Sequence, residues 1–415
     1  MVKSTGFKGY IFDDKEMKDN GHIKLLGHDN NTITYLNDDG TKTIYVSSAP
    51  IEERKLCLRE SDKNYESKGR NIDVSLPKKL NGETGISVGE FINVYPPLDT
   101  EHISEFKHVK NVFGQIKECV KYKGVYKDLS LYCYATSFGL NSEIVIPEYS
   151  GENIYSVKIK QPKGLFIEEE TDYVLFRDEE DLRSMIFTSL AVDSNGVWNY
   201  NNRVILALAE DGECYVHFVI DEDFLKSADT KYPVTINQSI NAYKHKQPDT
   251  SLYSKTEDSA RHYLSPYMLL GKETVKGEGW ALIRYEVLEE LDVKAENVLK
   301  AEYYVSNLCK SESVGSIGTY AITDDWCSVN TRWKSRPTYE DVPIHVTKVR
   351  STGVYGVDIT RLFKDMIRNR GEYEPRYSVR NSFLIKNDNS KGSTLLLGSG
   401  DLGMETPYLK VVVKQ

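Results

Sequence analysis

The sequence predicts an all-β protein, and three observations support this prediction. In the run from residue 279 to 304, Trp280 and Leu282 alternate with Ala281 and Ile283, so successive side chains fall on opposite faces of an extended chain. Similar short runs recur along the chain at the spacing typical of a sandwich or a curled sheet. The chain also contains 28 Tyr, 13 Phe and 4 Trp, and aromatic residues are enriched in strands. A β-sandwich is therefore the expected architecture.

Chain length and local composition predict two domains. A chain of 415 residues exceeds what one hydrophobic core usually fills. Between residues 237 and 259 the alternation is lost and Pro, Asn, Lys and Ser accumulate, so we place the boundary near residue 240. The expected domains are a β-rich N-terminal domain, residues 1–240, and a β-sandwich domain, residues 241–415.

The N-terminal domain begins with a predicted meander in residues 22–50. Asp39-Gly40 lies between two alternating runs, and Gly tolerates the positive φ of a tight hairpin turn. The polar stretch 52–85 predicts a long connection or an exposed edge, and residues 221–231 favour a turn or two of helix. Further strands are predicted at 90–95, 109–126, 129–135, 143–146, 154–159, 164–167, 173–176, 185–192, 204–209 and 214–220.

The C-terminal domain adds a second alternating run at residues 298–305 and one helix. The helix is indicated by apolar residues at intervals of three and four, with Asp358 or Thr360 as the cap and Gly371 after the last turn. These apolar residues are Ile359, Leu362, Phe363, Met366 and Ile367. Further strands are predicted at 316–322, 344–348, 354–358, 382–386, 394–397 and 408–413.

Charge and hydropathy set expectations about partners. With 62 acidic and 53 basic residues the net charge is -9, so we expect no nucleic-acid partner. The sequence contains no apolar stretch of the roughly 18 to 20 residues that a membrane span needs, and the first 20 residues lack the apolar run of a signal peptide. The cysteines are expected to be reduced thiols. They are Cys57, Cys119, Cys133, Cys214, Cys309 and Cys327.

The order of several short motifs in the C-terminal half carries a family resemblance. The motifs are Leu270-Gly271, the strands at 281–287 and 298–305, Trp326, Thr331-Arg332-Trp333 with Pro337, Val357 to Thr360, 383–385 and 407–409. Residues 241–415 resemble a DNRLRE domain. The resemblance implies a jelly-roll-like β-sandwich of bacterial surface or secreted proteins that is related to carbohydrate-binding modules.

Two segments of the first half are similar to the region that precedes DNRLRE domains in wall-associated, Rhs-type proteins of Gram-positive bacteria. They are DDGTKTIYVSSAPI at 38–51 and FLKSADTKYPVTIN at 224–237. This resemblance implies an extracellular or cell-surface location.

Catalytic motifs have weak support in this sequence. Residues 85–89 match the G-x-S-x-G nucleophile elbow and residues 398–403 match a dinucleotide fingerprint, but the flanks that either motif needs are missing, so we interpret them as a loop and a hairpin turn. The acidic runs 168–170 and 178–181 are typical of solvated loops. We therefore expect no enzyme, with a glycosidase or lyase as the open alternative.

No cofactor is expected, although structural calcium is compatible with two turns. Asp38-Asp39-Gly40 and Asn387-Asp388-Asn389 can each offer oxygen ligands, and both are equally explained as ordinary turns.

The remaining functional lead is an aromatic and basic group around Trp333. Flat rings stack on sugar faces, and neighbouring guanidinium groups read hydroxyls or acidic substituents. Trp333, Arg332, Arg336 and Tyr339 provide these groups close together, whereas Trp326 is interpreted as core packing. The expected function is a noncatalytic surface module that binds a polysaccharide or cell-wall glycan. The alternative is a scaffold of a wall-associated or Rhs-type assembly that binds protein partners.

Overall fold

The computed structural model describes residues 7–415 with short gaps. The gaps are residues 49, 53–54, 70–71, 91, 98–99, 161–163, 171–172, 180–181, 210–212, 243–248, 260–261, 263–264, 275, 286–287, 289–290, 309–313, 328–329, 369–380, 389–393 and 400–406.

Strands dominate the described chain, which confirms the all-β prediction. The helices are α1 (Asp14–Asp19), α2 (Glu222–Lys226) and α3 (Thr360–Arg368). The first strands are β1 (His22–His28), β2 (Thr32–Asn37), β3 (Lys42–Ser47), β4 (Arg59–Glu60), β5 (Asn64–Lys68), β6 (Asp73–Pro77), β7 (Lys79–Leu80), β8 (Ile86–Val88), β9 (Ile92–Tyr95), β10 (His102–Lys110) and β11 (Ile116–Tyr126).

The middle strands are β12 (Leu129–Thr136), β13 (Gly139–Ile146), β14 (Ile154–Ile159), β15 (Phe166–Glu169), β16 (Tyr173–Arg177), β17 (Leu182–Phe187), β18 (Leu190–Val192), β19 (Trp198–Asn199), β20 (Arg203–Leu208), β21 (Cys214–Val219) and β22 (Val234–Ala242). The last strands are β23 (Asp249–Tyr253), β24 (Tyr267–Thr274), β25 (Gly277–Arg284), β26 (Val298–Asn307), β27 (Gly315–Ala321), β28 (His345–Val349), β29 (Gly353–Asp358), β30 (Ser382–Asn387), β31 (Leu395–Gly398) and β32 (Tyr408–Val413).

Local chemistry explains the elements that were predicted correctly. The hairpin between β2 and β3 turns at Gly40, whose φ of 81° is open to glycine without strain. Helix α3 begins at Thr360, where the backbone N–H donates to Oδ1 of Asp358 at 2.8 Å. Gly371, the predicted end signal, lies outside the described residues.

Two segments, residues 52–85 and 85–89, differ in part from the structure that the sequence predicted. The first part of the polar stretch 52–85 is a sheet edge, because among the described strands β4 ends its sheet and pairs only with β5 there. The later part is not an edge, since β6 also pairs with β8 and contributes buried Val74 and Leu76. The loop interpretation of residues 85–89 is wrong, since β8 pairs with β6 and β9 there. Gly85 lies so close to Tyr95 that an added Cβ would come within 2.8 Å of its ring, which explains a glycine beside this strand.

One compact unit comprises residues 56–245. In the described part of the chain it contains a sheet of 11 strands and a sheet of 8 strands. Val74 and Leu76 from the smaller sheet and Val120 and Leu131 from the larger sheet are buried in one hydrophobic core. This unit is therefore a sandwich-like pair of layers.

The other compact unit comprises residues 1–55 together with 246–415. This grouping differs from the expected domains, 1–240 and 241–415, because β3 pairs along its whole length with β32. Tyr45 of β3 also packs against Phe7 and Tyr408, with ring centroids 5.0 and 6.0 Å away. The meander of β1, β2 and β3 thus extends this sheet beyond β32, which would otherwise be an edge strand.

Strand β25 has two chemically different faces, as its alternation predicted. Ala281 and Ile283 point into the core of this unit, with Phe383 and Ile385 of the neighbouring β30. Trp280 and Leu282 lie on the opposite face, which carries a second, separate hydrophobic cluster. That outer face positions the candidate site.

Candidate functional site

The outer face of strands β25, β27 and β30 is covered by the segment that connects β27 to β28. The side chains between this sheet face and the covering segment form a hydrophobic cluster, which we call the aromatic face. Its buried members are Leu252, Trp280, Leu282, Tyr320, Ile322, Trp326 and Leu384, and Trp333 and Tyr339 pack against them half-buried. An open β-sheet face would expose these large apolar side chains, so the connecting segment folds back over them.

Trp326 anchors the covering segment to the sheet. Its side chain is 5% exposed, and its indole N–H donates to Oγ of Ser382 at 2.8 Å. A buried indole without a partner would leave its donor unsatisfied, so this bond fixes the ring's orientation. The prediction that Trp326 serves packing is confirmed.

Trp333 and Tyr339 meet around Trp280. The ring of Trp333 lies 4.8 Å from that of Trp280 with planes inclined at 52°, and Tyr339 meets Trp280 edge-on at 5.3 Å. Tyr339 also meets Tyr320 edge-on at 5.4 Å. Edge-on and tilted contacts are the arrangements that aromatic quadrupoles favour.

Two cations lie over these rings. The guanidinium carbon of Arg336 is 4.6 Å from the Trp333 ring centre and 5.2 Å from that of Trp280. Nζ of Lys386 is 4.3 Å from the Tyr320 ring centre and 4.6 Å from that of Tyr339, to whose hydroxyl it donates at 3.0 Å. Cation–π contacts of this kind hold positive charge at the rim of the rings.

Two nearby carboxylates are engaged by aromatic donors. Trp280 donates its indole N–H to Oε1 of Glu278 at 3.0 Å, and the Tyr320 hydroxyl donates to Oδ1 of Asp388. Burial, followed by this bond to Asp388, raises the pKa of Tyr320. Gly318 makes this approach possible, since a Cβ there would come within 2.9 Å of the Tyr320 ring and 3.1 Å of the Asp388 carboxyl carbon.

Three of the four predicted site residues come together. Trp333, Arg336 and Tyr339 share the aromatic face, whereas Arg332 is exposed beside it, with its backbone N–H donating to Oγ of Ser335 at 3.1 Å. Sequence reasoning missed Lys386, which lies directly opposite Trp280 in the pairing of β25 and β30. The alternation marked Trp280 as outward, but the pairing partner lies about a hundred residues away in the chain, so no local signal reveals it.

The arrangement can recognise a flat ring that carries polar or acidic substituents. Arg336 is exposed and donates to the Trp333 carbonyl oxygen at 2.8 Å, so its guanidinium covers one face of that indole. A ligand ring can stack on this guanidinium plane or replace it on the indole. Arg336 and Lys386 then supply donors for hydroxyl or carboxylate oxygens.

Two of the other motifs considered in the sequence are held in ordinary structural bonds. Glu168 forms an ion pair with Arg177 at 3.8 Å, and Asp39 accepts from the Thr41 hydroxyl at 2.6 Å in the hairpin turn. Residues 180–181, 389 and 400–403 lie outside the described ranges.

Within the described part of the chain, no group of three His, Cys, Asp or Glu side chains could hold a metal ion, and no helix is long and apolar enough to cross a membrane. The described cysteines, Cys57, Cys119, Cys133, Cys214 and Cys327, are free thiols. Cys309 lies in the gap at 309–313.

The fold and site define an all-β, sandwich-like protein with a cation-bearing aromatic face. No protein-family model matches the chain. Over 370 residues it is 19% identical to the tRNA nuclease WapA of Bacillus subtilis (strain 168), which covers 80% of this chain and 16% of that protein. Over 241 residues it is 19% identical to the tRNA3(Ser)-specific nuclease WapA of Bacillus spizizenii, covering 54% of this chain and 10% of that protein.

These relatives correct part of the expected function. Both are named as tRNA nucleases, which contradicts the expectation that the chain is not an enzyme and is at odds with the expected absence of a nucleic-acid partner. The expectation rested on the weak support for short catalytic motifs and on the net charge of -9. The chain spans less than a fifth of the length of either relative.

Proposed function

We propose that the chain is a DNRLRE-like module of a cell-surface or secreted protein and that its aromatic face binds carbohydrate. The supporting observation is the group formed by Trp280, Trp333 and Tyr339 with Arg336 over the indoles and Lys386 over Tyr339. Aromatic side chains that combine an apolar body with a polar rim are suited to sugars, which present apolar ring faces and hydroxyl edges.

The charge at this face favours an acidic glycan. Glu278 and Asp388 accept bonds from Trp280 and Tyr320, which direct one oxygen of each carboxylate toward a ring donor. Arg336 and Lys386 are held over rings and remain able to donate to a carboxylate. We therefore expect uronic-acid-containing or otherwise acidic polysaccharides to bind more tightly than neutral ones.

The test is a glycan array and titration calorimetry with the full chain, because residues 1–55 belong to the same compact unit as the site. Trp333→Ala is expected to weaken binding at least tenfold, while Trp333→Phe, which keeps an aromatic ring, loses less. The matched control is Trp198→Ala, since Trp198 is also half-buried but lies on β19 in the other unit. Arg336→Gln should weaken acidic glycans more than neutral ones.

Two results would count against this proposal. Folded wild-type protein that binds no glycan on the array would favour the scaffold alternative and direct the search toward protein partners. Equal binding by wild type and Trp333→Ala would place any glycan site elsewhere. Circular dichroism of each variant keeps loss of binding separate from loss of folding.

tRNA cleavage is a second candidate, favoured by the names of the two relatives. Purified chain incubated with total tRNA, with and without Mg²⁺, would show discrete fragments on a denaturing gel if this candidate holds. Intact tRNA at micromolar protein concentration would exclude it. Glycan binding and tRNA cleavage are measured separately, so either result stands without the other.

A further inference from the structure

A groove of about 480 Å³ lies where helix α3 meets strand β28 and the end of strand β29. Its polar lining comes from His345, Asp358, Thr360, Arg361, Lys364 and Arg368. Among the described residues, no member of the aromatic face contributes to this lining. The groove is therefore a site separate from the one proposed for carbohydrate.

The sequence of α3 places three basic side chains along the groove. The apolar residues Leu362, Phe363, Met366 and Ile367 bury one face of the helix. Arg361, Lys364 and Arg368 recur at intervals of three and four, so they share the opposite stripe. At 1.5 Å rise per residue this stripe is about 10 Å long.

The floor of the groove is fixed by hydrogen bonds. The Thr360 hydroxyl oxygen accepts from the backbone N–H of Ala301 at 2.9 Å, which ties the start of α3 to β26. Oδ1 of Asp358 accepts from the Thr360 N–H at 2.8 Å. Among the described residues, Asp358 is the one carboxylate of the lining, and its Oδ1 is engaged by the first N–H of α3.

Positive charge in the groove is only partly neutralised. Arg368 pairs with Asp365 at 2.8 Å. In the described ranges, no carboxylate lies within ion-pair distance of Arg361 or Lys364, and Lys364 is half-buried. On a chain with a net charge of -9, this is a local concentration of basic groups.

We propose that this groove binds a phosphate ester. A phosphate group carries about -1.5 to -2 charges at pH 7 and presents three strong acceptor oxygens, which match the guanidinium fork of Arg361 and the ammonium of Lys364. Pockets of roughly 300 to 1,000 Å³ hold small organic ligands. A groove of about 480 Å³ therefore has room for an organic part attached to the phosphate.

The experiment is titration calorimetry of the full chain with glycerol 3-phosphate, inorganic phosphate and glycerol. Glycerol 3-phosphate is expected to bind saturably and more tightly than inorganic phosphate, and glycerol to show no binding. The combined variant Arg361→Gln and Lys364→Gln should bind the ester at least tenfold more weakly. Lys348→Gln is the matched control, because it removes one exposed positive charge on β28 outside the groove lining.

Arg361→Lys keeps the charge but removes the planar fork, so it should give an intermediate loss. The proposal is overturned if the folded wild type binds neither phosphate compound, or if the combined variant binds the ester as well as wild type does. Binding of inorganic phosphate as tight as that of the ester would also overturn it, because the groove would then recognise only the anion. Circular dichroism confirms that each variant is folded.

Discussion

Replacing the buried Glu143 by Gln should change how stability depends on pH. Glu143 lies on β13 and is 3% exposed. Burial raises the pKa of its carboxyl to about 7 from an ordinary value of 4.5. Three donors oppose this shift by favouring the carboxylate: the Val112 N–H at 2.8 Å, the Tyr134 hydroxyl at 2.9 Å and the Asn237 amide at 3.5 Å.

The sign follows from proton binding. A carboxyl with a raised pKa binds its proton more tightly in the folded state, so its contribution to stability is complete below pH 4.5 and is lost as the pH rises through about 7. The difference between the two pKa values corresponds to about 3 kcal/mol in the free energy of unfolding. Gln is neutral throughout and keeps an oxygen acceptor, so Glu143→Gln should lack this loss.

The assay compares wild type and Glu143→Gln by hydrogen exchange of the β13 and β22 amides between pH 4.5 and 8. These amides report on the unit that contains Glu143. The variant should gain about 3 kcal/mol relative to wild type over that range. Glu222→Gln is the control, because hydrogen bonds from Tyr149 and then Lys226 lower the pKa of Glu222, so its replacement gains no stability with rising pH. Parallel pH curves for wild type and Glu143→Gln would refute the reasoning.

Three further predictions concern stability. Trp326→Ala should destabilise its unit by about 3 to 5 kcal/mol because it empties a buried site. Trp326→Phe should cost less, because it loses only the bond to Ser382 and part of the ring. Equal losses of the two variants in urea unfolding would contradict the packing role of Trp326. Gly40→Ala should lower the free energy of unfolding by about 1 kcal/mol, because a φ of 81° is unfavourable for alanine. The loss should be no larger, because no atom lies within 4 Å of the added Cβ. An unchanged melting temperature would argue against this turn. Removal of residues 1–55 should lower the solubility and melting temperature of the protein, because it leaves one edge of β32 without its partner β3. An unchanged melting transition would mean that residues 246–415 fold without the meander.

Local patterns in the sequence predicted local structure well. The hairpin at Gly40 and the helix α3 both depend on residues within a few positions of one another, and both are confirmed. The two faces of β25 followed from side-chain alternation alone. In contrast, the pairing of β3 with β32 joins residues more than 350 positions apart, and nothing near Tyr45 indicates which strand it will meet.

The candidate site shows the same limit in chemical terms. The group around Trp333 was visible because Arg332, Arg336 and Tyr339 are its neighbours in the sequence. Lys386 and Trp280 complete the site only because β30 pairs with β25 in one register, and a shift by one residue would place Lys386 on the core face. That register is fixed by Phe383 and Ile385, whose burial in the core forces the intervening side chains outward. The core packing that stabilises the sheet therefore also sets which cations reach the aromatic face.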